Sequence, residues 1–543
     1  MVAAAVLGLG TVPAMPAASA VTLSPVIRAP AGTARGELIG DLAVFKGLPY
    51  ALPPIGARRW RPPAEAPAWQ GVREATDFGP TCYQPPNDPR SIYAWKALPM
   101  SEDCLSLNIW APTKASSAPV LVWIHGGALL TGSSADALYD GATLARQGLV
   151  VVSINYRLGV LGYLAHPDLG AESPQGLSGN YGLLDQIAAL KWVQSNIASF
   201  GGDPSNVTIA GESAGALSVL YLMASPQARG LFAKAISQSA YLISAPELHQ
   251  ARYGSPAAET LGSALAEKLG TQSVAQLRAL DAASLTARAA KAGYLWSGTI
   301  DGHILPRQLV DVFDRGEQVK VPLLVGFNSG ETRSLSMLLP PLPADASAYE
   351  TGIHARYGDS SDSFLKLYPA SNLEESVMAA TRDAMYGWTA ERLARQQSAS
   401  GANTFLYYFD HGYPAADTAG LHGFHASELP FVFGTADRTP PLWPKVPTQP
   451  GELKLSAAMV AYWAAFARHG SPDVPALPRW QPYGRNRAYM AFTDAPHPGT
   501  HLLPGMFEFN EQVVCRRRSS GDTAWNWNVG LISPPLPPAA GCR

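Results

Sequence analysis

Short, nearly unbroken apolar runs alternate along the chain with longer stretches whose apolar positions recur every three or four residues. Val120-Leu121-Val122-Trp123-Ile124 and the run from Val150 to Tyr156 have the pattern of strands buried on both faces. After the second of them, Ile187, Leu190, Val193 and Ile197 fall on one face of a helix. It opens at Asn180-Tyr181 and is stopped by Gly201-Gly202-Asp203-Pro204. Further strands are expected at 43–45, 102–110, 207–209, 235–237, 321–326 and 404–409, and a late helix carries Ala457, Val460, Trp463 and Phe466. This alternation predicts the α/β class, with a large, mostly parallel sheet flanked by helices. The spans 245–300 and 335–400 read as helices and loops, expected as insertions capping the active-site edge of that sheet. No repeat or composition break divides residues 21–543, so a single domain is expected.

One strand-to-helix boundary carries chemistry. Val207-Thr208-Ile209 reads as a strand and Leu217, Leu220 and Tyr221 as a helix face, with Gly211-Glu212-Ser213-Ala214-Gly215 between them. G-x-S-x-G in that context is the pattern of a nucleophile elbow. The turn is so sharp that the residues two before and two after the serine must be small, as Gly211 and Gly215 are. Ser213 is therefore the candidate nucleophile. A serine hydroxyl needs a base, and the base an orienting carboxylate. In α/β-hydrolases these follow in the order serine, acid, histidine. Glu331 lies just past strand 321–326, at the strand end where such sheets place ligands, and Asp301 is its rival. For the base, His422 and His425 share one loop, and spacing does not separate them. His303, His354 and His411 lack a comparable loop.

Composition narrows the function classes. Hydrophobic residues make up 47% of the chain and charged ones 15%, which supports a large core. The net charge of −2, with Arg516-Arg517-Arg518 as the only basic triplet, gives no footprint for nucleic acid or an anionic membrane. Beyond residues 1–20, no apolar run approaches the ~18–20 residues of a membrane span. Residues 1–20 contain no charged side chain and end in Ala18-Ser19-Ala20. They are expected to be a signal peptide lacking its basic start, with a mature chain beginning near Val21 in a secreted or periplasmic protein. The four cysteines fit an oxidising compartment, and pairing neighbours (Cys82 with Cys104, Cys515 with Cys542) is the simplest of three connectivities. No Cys/His cluster points to a metal, and no cofactor is expected.

Taken together, the motifs resemble the type-B carboxylesterases, the family of para-nitrobenzyl esterases and cholinesterases. The matching segments are Phe45-Lys46-Gly47-Leu48-Pro49-Tyr50, Glu102-Asp103-Cys104-Leu105, His125-Gly126-Gly127 and Asn155-Tyr156-Arg157-Leu158-Gly159. They continue with 179–186, 200–204, the 211–215 elbow, Gln238-Ser239 and His425-Ala426-Ser427-Glu428-Leu429-Pro430, all in the family's order. The resemblance implies the α/β-hydrolase fold and hydrolysis of a small-molecule ester by Ser213, Glu331 and His425 through an acyl-enzyme. It sets Asp301 aside as part of a structural D-G-x-x-L-P segment and chooses His425 over His422. It further implies an oxyanion hole from the N–H groups of Gly127, Ala128 and Ala214, a hydrogen bond from Ser239 to the acid, and a Cys82–Cys104 disulfide. For Cys515 and Cys542 it implies nothing.

Departures bear on the substrate. Ala128 stands where glycine is common, and Leu129-Leu130 replaces an aromatic, which alters the expected acyl pocket. Trp95 is one position away from the choline-stacking tryptophan of cholinesterases, so a choline ester is not expected. Glu212 places a second carboxylate beside the nucleophile, to tune His425, attract a cationic alcohol group, or serve as a satisfied buried residue. Two rival readings are a non-catalytic cholinesterase-like binding module and a hydrolase specialised for a complex natural-product ester, polyester or amide.

Overall fold

The computed structural model describes residues 24–542 apart from 295, 522, 526–529 and 539–540. The expected leader at 1–20 lies outside the described residues. The apolar runs become an eleven-stranded sheet. Its strands are β1 (Glu37–Ile39), β2 (Leu42–Pro49), β3 (Ser106–Pro112), β4 (Ala118–Ile124), β5 (Val150–Ile154) and β6 (Gly202–Glu212), followed by β7 (Lys234–Gln238), β8 (Leu323–Asn328), β9 (Thr404–Phe409), β10 (Ala488–Phe492) and β11 (Pro496–Thr500). Their order across the sheet is 11-10-9-8-7-6-4-5-3-2-1. Strands β4 to β10 run parallel, and antiparallel strands close both edges. This is the α/β-hydrolase arrangement expected from the sequence.

Strand β4 shows why the apolar runs are unbroken. Val120, Val122 and Ile124 enter one core cluster while Leu121 and Trp123 enter another, so both faces of the sheet are covered. The helices Tyr181–Asn196 (α1) and Ala214–Ala224 (α2) supply the first cluster, and Pro450–His469 (α3) supplies the second. At about 1.5–3 kcal/mol for each fully buried large apolar side chain, these two layers dominate stability. A buried ion pair joins the end of β5 to α1. The Arg157 guanidinium grips both oxygens of Asp185 at 2.7 Å, and the Arg157 N–H donates to the same carboxylate at 3.0 Å.

The edge pair β10–β11 was not expected. Pro496 and Pro498 spoil a strand pattern in β11, yet an edge strand tolerates proline because one side of its backbone needs no ladder partner. Of the two helical spans, 245–300 builds a separate apolar cluster with Trp60 and Leu164. The early part of 335–400 packs with the C-terminal helix Met506–Ser520, while its last helix, Trp388–Ala399, lies against β8 and β9. Cys82–Cys104 and Cys515–Cys542 are both disulfide-bonded.

Candidate active site

Four adjacent strand ends, those of β4, β6, β7 and β8, carry the candidate residues on one edge of the sheet, except His425, which lies in the loop beyond β9. Strand β6 ends at Glu212 and α2 starts at Ala214, leaving Ser213 to make the whole turn at φ 56°, ψ −122°. Such a conformation costs a non-glycine residue about 1–3 kcal/mol. Neighbours hold it: the Ser213 N–H donates to Gln238 O at 2.9 Å, and Ser213 O accepts from Leu217 N at 2.9 Å. The flanking glycines are required by space. A Cβ on Gly215 would stand 2.1 Å from Ile124 O, and one on Gly211 would stand 2.4 Å from the Gly215 carbonyl carbon.

The loop after β4 comes down on this turn. A Cβ on Gly126 would meet Ser213 Cβ at 3.2 Å. Gly127, Ala128 and Leu129 then follow with φ of 97°, 56° and 58°. The carbonyl of Gly127 accepts from Leu130 N at 3.0 Å and Thr131 N at 2.9 Å, which fixes the turn. Among the described residues, the N–H groups of Gly127 and Ala128 donate to no protein acceptor. Ala214, first in its helix, has no intrahelical acceptor for its N–H. His125 supports the loop from below, stacked on Tyr156, whose hydroxyl donates to His125 O at 2.9 Å. Burial pushes the His125 imidazole down to about 4, so it is neutral there.

Glu331 opens a short helical turn just past β8 and is wholly buried. One of its oxygens accepts the Asn328 N–H at 2.9 Å, and the other lies 2.5 Å from His425 Nδ1. The opposite ring nitrogen, Nε2, is 3.1 Å from Glu212 Oε1, without hydrogen-bond alignment. Since Glu212 adjoins Ser213, the elbow and the imidazole meet here. Competing candidates are engaged elsewhere. Asp301 accepts from the N–H groups of His303, Ile304 and Leu305. His422 sits between Asp417 and Asp410 at 2.8 and 3.2 Å.

The Carboxylesterase family model matches residues 23–506. The chain belongs to the carboxylesterase family. It is 37% identical to the fumonisin B1 esterase of Sphingopyxis macrogoltabida, over 83% of this chain and 84% of that one. It is 35% identical to the para-nitrobenzyl esterase of Bacillus subtilis, over 83% and 91%. Among solved structures, a PNB esterase superposes with TM-score 0.77 at 31% identity, covering 90% of this chain and 99% of its own. A Geobacillus stearothermophilus carboxylesterase gives 0.76 at 33%, covering 89% and 99%. The protein is thus a carboxylic-ester hydrolase, and the reading as a non-catalytic binding module falls away.

In this esterase the ring of charge around His425 is lopsided. Burial pulls the imidazole down, but the charges of Glu212, Glu331 and Glu428 outweigh it and carry it to about 9. Burial raises Glu212 to about 8 against the pull of His425. The charged form of each group therefore favours the charged form of the other. Glu428 is the third carboxylate and was not singled out in the sequence. It accepts from Gln238 Nε2 at 2.8 Å and Asn328 Nδ2 at 2.6 Å. Asn328 Nδ2 also donates to Phe424 O at 2.9 Å, so one amide ties the acid's strand to the histidine's loop. No local pattern marks an asparagine for this; its signal was only its place in Gly326-Phe327-Asn328-Ser329-Gly330-Glu331.

Two expectations change. The Ser239 hydroxyl, fully buried, makes no hydrogen bond to Glu331, and Tyr407 is the group it lies against. Its backbone is set at φ 52° by the bond from its own N–H to Gly326 O, and Glu331 has its two oxygens engaged by Asn328 and His425. Leu129 is 1% exposed and belongs to the core, so of the Leu129-Leu130 pair only the half-buried Leu130 is left to shape a pocket.

Proposed function

We propose that Ser213, His425 and Glu331 form the triad of a two-step esterase acting on small to medium esters. His425 Nε2 takes the Ser213 proton as Oγ bonds to the ester carbonyl carbon. The tetrahedral oxyanion is met by the N–H groups of Gly127, Ala128 and Ala214, each such donor being worth about 3 kcal/mol in comparable sites. The C–O bond then breaks, and His425 returns the proton to the departing alcohol. A water loses a proton to His425, attacks the acyl carbon and releases the acid with Ser213 restored. Throughout, Glu331 holds the ring and balances the imidazolium. The observation that carries the reading is the His425–Glu331 contact beside a strained Ser213. The relatives that support it include enzymes named for fumonisin B1 and para-nitrobenzyl esters, and a panel of esters varying acyl and alcohol size would place this chain's preference.

A fluorophosphonate should label the protein once, with the adduct on the Ser213 peptide by mass spectrometry. An unlabelled Ser213 would overturn the assignment. Two disulfides support export to an oxidising compartment, and no described helix is long and apolar enough to cross a membrane. The same spectra of exported material should show a chain starting near Val21; retention of residues 1–20 would refute that cleavage.

Glu212→Gln tests this coupling. An ionised Glu212 favours the protonated imidazole, so a neutral amide lowers the His425 pKa. The acid limb of kcat/KM, which reports the free enzyme's base, should therefore move to lower pH across a profile from about pH 5 to about pH 10. A limb that stays in place or moves up contradicts the coupling.

A further inference from the structure

The loop closed by Cys82 and Cys104 reaches the backbone of the candidate base through Tyr93. Tyr93, near the middle of that loop, lies with its hydroxyl 2.9 Å from His425 O and 2.7 Å from Ser334 Oγ. The phenol is the donor in both contacts, so its one proton lies between His425 O and Ser334 Oγ. We propose that Tyr93 is a positioning residue for the esterase reaction, fixing the His425 backbone from the disulfide loop.

The surroundings give the phenol a defined place. Its ring meets Trp443 edge-on at 5.7 Å, and Trp443 packs on Phe424, the residue before His425, at 4.7 Å. The Tyr93 N–H donates to Ser91 Oγ at 3.2 Å, and Ala94 N to Ser91 O at 3.0 Å, turning the loop so that the side chain points inward. Burial raises the phenol well above its ordinary value and the Ser334 hydrogen bond partly offsets this, while the charges of Glu212, Glu331 and Glu428 raise it further. It therefore stays protonated, and a donor, throughout the working pH range. The contact joins three segments distant in sequence: the disulfide loop, the turn after Glu331 and the loop of His425. Ala426, next to His425, has φ 68°, a conformation that relaxes readily once its neighbours let go.

The reaction needs His425 Nε2 aimed at Ser213 and Nδ1 at Glu331 together, and small misplacements of a base cost rate rather than binding. Tyr93→Phe keeps the ring and its packing and removes only the donor. It should lower kcat about tenfold, the scale of one hydrogen bond, with KM within about twofold of the parent. Ser334→Ala should leave kcat within about threefold of the parent, because the phenol can still donate to His425 O. The double variant should be no slower than Tyr93→Phe alone, since Ser334 acts through Tyr93. An unchanged kcat in Tyr93→Phe overturns the proposal. A loss carried by KM overturns it too, because that makes Tyr93 a pocket wall, and so does a Ser334→Ala variant as slow as Tyr93→Phe. The inference rests on His425 being the base, which His425→Ala tests separately. If His425→Ala is inactive and Tyr93→Phe is normal, only the positioning role fails; if His425→Ala is active, the triad reading fails first.

Discussion

Replacing Ser213 or His425 by alanine is expected to lower p-nitrophenyl acetate turnover by a factor on the order of 10⁴–10⁶. Without Ser213 no Oγ is present to form the acyl-enzyme, and without His425 its proton has no acceptor, so either loss closes the same path. The double variant should accordingly be little worse than either single one, because residues acting as one unit are not additive. What remains would come from the donor loop at Gly127 and Ala128, whose N–H groups do not depend on either side chain. Steady-state rates of the three variants with matched circular-dichroism spectra check this. A residual rate within about tenfold of the parent would be incompatible with the proposed mechanism.

Glu331→Gln is expected to cost on the order of 10⁴ in kcat, by analogy with the orienting carboxylate of other serine triads. The structure indicates which way the new amide would face. One carboxylate oxygen of Glu331 accepts from the Asn328 N–H, a bond that requires an oxygen. The amide NH₂ of glutamine is therefore turned towards His425 Nδ1. A donor at that position makes Nδ1 the acceptor and puts the ring proton on Nε2, the nitrogen that must take the serine proton. Glutamine also removes the charge that balances the imidazolium. Full activity in this variant would move the acid's role to another carboxylate, with Glu428 and Glu212 as the nearby ones.

Much of this was legible in the chain because the signals are local. A strand covered on both faces must be apolar throughout, so β4 and β5 announced themselves as runs. The elbow was legible for a different reason. Its glycines answer to backbone contacts at 2.1 and 2.4 Å that would refuse any side chain, and such refusals leave a fixed spacing in sequence. Strand β11 was missed because an edge strand has half its ladder unpaired and can hold prolines that erase the pattern. The expected Ser239 contact did not appear because its hydroxyl is set by how β7 meets β8, and no spacing encodes that.

The sequence by itself determined the α/β class, the candidate nucleophile and the order in which its partners follow, since each depends on periodicity or on steric limits within a few residues. With the family's motifs beside it, it also separated Glu331 from Asp301 and His425 from His422. Only the tertiary structure decided the company those groups keep. Asp301 is consumed by its own turn, and His422 by two surface carboxylates. Glu212 and Glu428 crowd the imidazole, and Tyr93 arrives from more than three hundred residues away to hold its backbone. Those contacts join segments remote along the chain, and a side chain's charge and hydrogen bonds are fixed by what surrounds it in space, which no local pattern records.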